Sequence, residues 1–146
     1  MTRLWVGLYM FLALSSLFAE DDPVYQKGYQ LYSEKKYDDA IPVFQSIIDK
    51  EPNHVNSLAL LGVCFMGKED FRQSMIYLEK ALKVDAKMPL ANYAMAVSYA
   101  RKPDPDLGMA QKYLELAKTY GYQVPPGFEQ YLEHLRAQKN TKTAEK

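Results

Sequence analysis

Apolar residues recur every three or four positions through the middle of the chain, which is the spacing of one face of an α-helix. Between positions 56 and 66 this spacing is met by apolar or small residues at 58, 61, 62 and 65, and after a short polar turn it is met by those at 71, 74, 78 and 81. Two amphipathic helices joined by so short a turn pack against each other antiparallel. The pattern therefore predicts a helical hairpin over residues 53–86.

The residues before this hairpin repeat its pattern at a distance of 34 positions. Six positions correspond in this way, namely Gly28 to Gly62, Leu31 to Phe65, Tyr37 to Phe71, Ala40 to Ser74, Phe44 to Leu78 and Ile47 to Ala81. A third copy begins at Pro89, but its second half lies 36 residues after the equivalent half. Two residues are therefore inserted in the loop 101–106, where Pro and Asp favour turns and tolerate insertion.

The period and the residue types resemble those of the tetratricopeptide repeat, a helix-turn-helix unit of about 34 residues. The resemblance is carried by Leu61, Gly62, Phe65, Phe71 and Ala81, and upstream by Gly28, Tyr37, Ala40, Phe44 and Pro52. It implies an all-α fold, a right-handed superhelical solenoid of about three repeats plus a C-terminal capping helix. The repeats are expected at about 21–54, 55–88 and 89–124, the capping helix at about 126–138, and a disordered polar tail at 139–146, with seven helices in all.

The first 19 residues follow a different pattern from the repeats. Arg3 precedes an apolar run over residues 4–19, and three acidic residues follow that run. This arrangement is typical of an export signal. Sixteen helical residues extend roughly 24 Å, which is less than the roughly 30 Å of a bilayer's hydrocarbon core. We therefore predict a cleaved signal peptide, a folded domain over 20–138 and a periplasmic or extracellular location. An uncleaved N-terminal anchor is the alternative, and the membrane is expected as a partner only during export or through that anchor.

Few residues could support catalysis or metal binding. The chain has two histidines, His54 and His134, and one cysteine, Cys64. A Cys-His nucleophilic pair requires a convergence that stacked hairpins do not favour, and structural zinc requires four closely placed ligands. Basic and acidic side chains number 18 each, without the basic stripe that nucleic acid requires. We therefore expect no enzyme activity, cofactor, metal, small-molecule substrate or nucleic-acid partner.

The resemblance also implies a binding groove, because the first helix of each tetratricopeptide pair lines a concave surface. The corresponding residues are Tyr25, Tyr29 and Tyr32, then Asn56, Ala59, Val63 and Met66, then Tyr93, Val97 and Arg101. We expect them on a face turned away from the packing residues, and we expect Ser57 on the solvent side. Tyrosine is frequent among binding anchors because it joins a wide apolar ring to a polar tip. The alternative is that the rings of Tyr25, Tyr29 and Tyr32 pack on one another or under the N-terminal segment.

The groove positions also indicate what the surface does not bind. Tetratricopeptide grooves that grip a terminal carboxylate use Lys and Asn on these helices. This chain has Tyr25, Ala59 and Tyr93 in place of the Lys, and Tyr29, Val63 and Val97 in place of the Asn. A carboxylate clamp is therefore not expected.

Two functions fit these observations. In the first, the protein is an exported scaffold that binds a segment of a protein partner in its tyrosine-lined groove. In the second, it is a structural subunit that associates with itself or docks into an envelope complex without a peptide ligand. A monomer whose mass does not depend on concentration favours the first function.

The export signal leads to a direct prediction. After expression of the full chain in a Gram-negative host, we expect periplasmic protein whose first residue is Glu20, because the short apolar run is of signal-peptide length. N-terminal sequencing of the periplasmic fraction measures this. Membrane-bound protein that begins at Met1 or Thr2 would establish an anchor instead.

Overall fold

The computed structural model describes residues 22–144, with side chains described to residue 141, so the predicted signal peptide lies outside the described residues. The described part contains seven helices and no strand, which confirms the predicted all-α fold. The helices are α1 (Pro23–Ser33), α2 (Tyr37–Lys50), α3 (Val55–Gly67), α4 (Phe71–Val84), α5 (Pro89–Arg101), α6 (Leu107–Thr119) and α7 (Pro126–Ala144).

Short polar side chains begin several of these helices. Asp22 accepts a hydrogen bond from the backbone N–H of Val24 at 2.8 Å, and Pro23 occupies the first turn of α1, where its missing N–H costs nothing. Equivalent bonds begin three other helices, with acceptors His54 for α3, Asp70 for α4 and Asp106 for α6. The starts of these four helices are therefore determined locally.

The helices form three hairpins, α1 with α2, α3 with α4 and α5 with α6, and each hairpin stacks on the next through contacts of α2 with α3 and α4 with α5. The predicted close approach occurs at Gly62, where an added Cβ atom would lie 2.7 Å from Cγ of Leu78 and 3.1 Å from the backbone oxygen of Ser74. Ala81 is fully buried. Small residues thus set the distance between paired helices, as the sequence predicts.

One hydrogen bond recurs in the turn of every hairpin. The residue that precedes the second helix donates its N–H to a carbonyl near the end of the first helix. The three bonds are Lys36 to Leu31 at 2.9 Å, Asp70 to Phe65 at 3.0 Å and Asp106 to Tyr99 at 3.0 Å. The third turn contains the two inserted residues and still closes with this bond, so the insertion is confined to the loop as predicted.

The last helix differs in length from the prediction. It begins at Pro126 as expected but continues to Ala144 instead of ending at 138, because no Gly or Pro follows that would stop it. Leu132 is buried against the third hairpin, Arg136 donates a hydrogen bond to Gln111 at 2.8 Å, and Lys118 pairs with Glu129. The helix therefore covers the end of the stack, which is the role predicted for a capping helix.

Ser57 corrects one expectation from the sequence. It was expected on the solvent side, but it is completely buried, and its hydroxyl has no hydrogen-bond partner among the described residues. The reason is that α3 lies in the middle of the stack and packs against α1, α2, α4 and α5, so nearly all of its sides are covered. The other buried serine hydroxyls, on Ser74 and Ser98, bond to each other at 3.1 Å.

The contact at Gly62 predicts that Gly62→Leu and Ala81→Leu lower the free energy of unfolding by about 1 to 3 kcal/mol, because overpacking displaces neighbouring backbone. Thermal and urea denaturation measure the change. Gly127→Leu is the matched control, since a Cβ atom at Gly127 meets nothing within 4 Å. Equal midpoints for the three variants would contradict the packing described above.

The buried serines provide a second stability test. Ser57→Ala should raise the free energy of unfolding by about 1 kcal/mol, because it removes a buried hydroxyl that makes no hydrogen bond. Ser74→Ala should lower it by about 1 to 2 kcal/mol, because the Ser98 hydroxyl then loses its partner. The double variant Ser74→Ala with Ser98→Ala should recover part of that loss. Destabilisation by Ser57→Ala would show that its hydroxyl is bonded after all.

Candidate functional site

Four tyrosine rings form a continuous row along α1 and the start of α2. Tyr25, Tyr29 and Tyr32 are separated by four and three residues, which places them on one side of α1. The ring centroids of Tyr25 and Tyr29 lie 6.5 Å apart, those of Tyr29 and Tyr32 lie 5.9 Å apart, and Tyr37 continues the series 6.5 Å from Tyr32. We call these four residues the tyrosine row.

The members of the row differ in exposure. Tyr25 is buried, with its ring 6.1 Å from that of Phe44 and 5.6 Å from that of His54. Tyr32 is half-buried, whereas Tyr29 is 48% exposed. Tyr25 therefore anchors the row to the core, and Tyr29 is the ring that is most accessible to another molecule.

A second group of rings lies at the other end of the stack. Tyr93 on α5 stacks on Tyr122 with centroids 4.4 Å apart and meets Phe128 edge-on at 5.4 Å, and Phe128 contacts Tyr131 at 6.3 Å. We call these four residues the C-terminal aromatic group. Tyr122 also lies close enough to Tyr32 to affect the pKa of its hydroxyl. The tyrosine row and this group together form the aromatic band.

Only part of this band was predicted from the sequence. Tyr25, Tyr29, Tyr32 and Tyr93 were predicted at the site, but Tyr122 was not, because it follows α6 outside the repeat pattern. Its position depends on the direction taken by the loop, where Gly121 adopts φ 92 and Tyr122 donates its N–H to Ala117 at 2.8 Å. The one indication of Tyr122 in the sequence is that it and Tyr120 lie on either side of Gly121.

The residues predicted for the middle of the groove are mostly core residues. Ala59, Val63 and Val97 are buried, so they do not lie on a face turned away from the packing residues. The expectation was wrong for them because α3 packs against both α1 and α5, and small side chains allow these neighbouring first helices to approach. Met66 and Asn56 are half-buried, and Met66 packs against both core clusters.

Arg101, predicted at the end of the groove, is already engaged by the neighbouring hairpin. Its guanidinium pairs with Glu69 at 2.7 Å and lies over the ring of Phe71 at 5.7 Å. A comparable ion pair between Lys68 and Asp38 joins the first two hairpins. These described contacts favour a role for Arg101 in joining the hairpins.

Partial burial raises the pKa of three tyrosine hydroxyls in the band, those of Tyr32, Tyr93 and Tyr122. Burial, with a further contribution from Tyr122, raises the pKa of Tyr93 to about 12. Burial first and Tyr122 second also raise the pKa of Tyr32, and burial raises that of Tyr122. These three hydroxyls are therefore neutral at physiological pH and can donate or accept hydrogen bonds.

The arrangement offers little for covalent chemistry. Burial raises the pKa of the Cys64 thiol to about 12, which leaves it protonated and unreactive. Within residues 22–141, no three His, Cys, Asp or Glu side chains come together as metal ligands. From residue 22 onward, no helix is both long enough and apolar enough to cross a membrane.

Comparisons with known proteins agree with the observed repeats. A family model described as tetratricopeptide repeat matches residues 31–98, from within α1 to within α5. An N-terminal acetyltransferase A complex subunit-like protein of Schizosaccharomyces pombe is 24% identical over 91 residues, which is 62% of this chain and 13% of that protein. A chain in the solved structure titled CopN-Scc3 complex has a TM-score of 0.59 and 24% identity, covering 78% of this chain and 65% of that chain.

These matches differ in what they share with the chain. The chain spans 13% of the length of the curated relative, so the similarity concerns a small part of a much larger protein. It spans 65% of the solved chain, and at that identity the similarity shows a common helical fold. Neither match identifies a binding site on this chain.

The acidity of Tyr93 predicts how stability changes in alkaline solution. The pKa of the Tyr93 hydroxyl is about 12 in the folded protein and about 10 when unfolded, so the unfolded chain loses this proton first as the pH rises. The contribution of Tyr93 to the free energy of unfolding is therefore complete below pH 10 and is lost as the pH rises toward 12. Tyr93→Phe keeps the ring but removes this titration. Urea midpoints measured from pH 8 to pH 11.5 should therefore fall less steeply for the variant, and parallel curves would contradict the assignment.

Proposed function

Because the chain is a member of the tetratricopeptide repeat family, we propose that it is a non-enzymatic scaffold that binds a segment of a protein partner on its aromatic band. The family match and the helical fold support a role in protein–protein interaction.

The exposure of Tyr29 is the observation that carries the proposal. Its ring contacts Tyr25 and Tyr32, yet 48% of its surface faces solvent. A large aromatic ring gains free energy when a partner covers it, and such rings dominate many protein interfaces. Because Tyr25 is held by the core, Tyr29 is presented from a rigid helix and loses little conformational freedom on binding.

The C-terminal aromatic group lies at the other end of the aromatic band from the tyrosine row. Tyr93 contacts Tyr122 and Phe128, so its ring is part of the packing that joins α5 to the capping helix. We therefore assign Tyr93 a supporting role, and we place the main contact with the partner at the tyrosine row. Neither a cofactor nor a small-molecule or nucleic-acid ligand is part of this proposal.

We further propose that this interaction takes place outside the cytoplasm. The proposal rests on the apolar run over residues 4–19 and on the acidic residues that follow it. Docking into an envelope complex without a peptide segment is the competing function.

The proposal predicts that Tyr29→Ala reduces recovery of partners in a crosslinking pull-down from the native host. Loss of a central aromatic anchor commonly costs about 2 kcal/mol or more, which is roughly thirtyfold in affinity. The fold should remain, because Tyr29 is the most exposed ring of the row. Circular dichroism and thermal midpoints check that it does.

Gln73→Ala on α4 is the control, since this residue belongs to the second helix of its hairpin. It should retain every partner that the unmodified protein retains. If folded Tyr29→Ala also retains every partner, the aromatic band is not the binding surface. Sedimentation that shows concentration-dependent self-association, unaffected by Tyr29→Ala, would favour the assembly function.

A further inference from the structure

One end of the stack of hairpins is not covered by another helix of the described residues. The capping helix α7 packs on the third hairpin, whereas α1 and α2 make their main contacts with each other and with α3, on their inner side. A shallow cavity on the outer side of this first hairpin is lined by Pro23, Val24, Lys27, Pro42, Val43 and Ser46. We call these six residues the end face.

The equivalent positions of the next hairpin show what meets this side where two hairpins stack. Position 24 corresponds to Leu58 and position 27 to Leu61, each 34 residues further on. Leu58 is 2% exposed and Leu61 is 0% exposed, because α2 packs over α3 there. On α1 no described helix takes that place, and Val24 is 40% exposed. The end face is therefore a side of a hairpin that is covered elsewhere in the stack.

Two charges of opposite sign lie on this side of the first hairpin. Lys27 and Asp39 are both exposed, and neither forms an ion pair with another described residue. Asp39 lies three residues before Pro42, which places both on one side of α2. In the nearby turn, by contrast, Glu34 pairs with Lys36 at 2.7 Å. The end face thus presents one unpaired cation and is flanked by one unpaired anion.

The positions of these two charges suit a two-fold axis. A Cβ atom added at Gly28 would lie 3.1 Å from Cγ1 of Val43, so Lys27 lies level with the middle of α2. Asp39 lies roughly 6 to 8 Å nearer to the start of α2, at about 1.5 Å per residue, with Pro42 and Val43 between the two levels. In a two-fold interface, a residue that meets a second residue of the other copy is met by it in return. An axis through the apolar middle would therefore bring each lysine to the aspartate of the other copy.

We propose that the end face is a contact between two copies of this chain, with Lys27 of each copy paired with Asp39 of the other and the apolar residues covered between them. A second copy is favoured over an unrelated protein because this one face supplies both of the complementary charges. The tyrosine row follows other positions of α1 and lies on a different side of that helix. Both rows stay accessible in such a dimer, so the inference goes beyond the proposed function and does not depend on it.

The test measures self-association of the protein recovered after expression of the full chain, by sedimentation equilibrium over a wide range of concentration. We expect a reversible monomer–dimer equilibrium that weakens as salt is added, because the paired charges lie near solvent. Lys27→Glu and Asp39→Lys should each raise the dimer dissociation constant by about tenfold or more, since each reversal places like charges together at two symmetric points. The double variant should dimerise again, because its pairs form with the signs exchanged.

Lys83→Glu is the matched control, since it makes the same change of charge at an exposed lysine of α4. It should leave the dissociation constant unchanged, and circular dichroism checks that every variant is folded. A monomer at all concentrations would overturn the inference. A double variant that stays monomeric would also overturn it, because the two charges would then not meet each other.

The same variants separate this inference from the proposed function. Self-association that is lost in Lys27→Glu belongs to the end face, whereas self-association that persists in both single variants would overturn the inference and count for the assembly function. In the crosslinking pull-down, Lys27→Glu should retain the partners that Tyr29→Ala loses. If Tyr29→Ala loses none while the charge exchange restores the dimer, the proposed function is wrong and the end-face contact stands.

Discussion

The close approach of paired helices at small residues is the constraint on which the rest of the structure depends. At Gly28 an added Cβ atom would lie 2.9 Å from the ring of Phe44, and at Gly62 it would lie 2.7 Å from the side chain of Leu78. Each hairpin closed in this way still has an apolar side that only a neighbouring hairpin can cover. Stacking then places the first helices of neighbouring hairpins side by side.

Much of this architecture was readable from the sequence because its causes are local. The spacing of apolar residues, the short turns and the position of the inserted residues all act within one hairpin. They were sufficient for the helix pairs and for the common side of Tyr25, Tyr29 and Tyr32 on α1. The contacts between these rings follow directly from that spacing.

The exposure of residues in the central hairpin could not be inferred in the same way. The pattern treats each helix as having one buried side, but α3 is surrounded by α1, α2, α4 and α5. Ser57, Ala59 and Val63 are therefore buried, on sides of α3 that would be exposed in an isolated hairpin. Tyr122 was missed for a related reason, since Tyr93, on which its ring stacks, is distant in the chain.

The recurring hydrogen bond in the hairpin turns has a consequence for how such a chain can evolve. The bond from Asp106 to Tyr99 closes a turn two residues longer than those closed by Lys36 and Asp70. A longer closed loop costs little additional entropy. Insertions at this point are therefore nearly neutral in descendants of the chain, whereas any change of length within a helix would alter the register of every following contact. New surface features can accumulate at the turns while the stack is inherited unchanged.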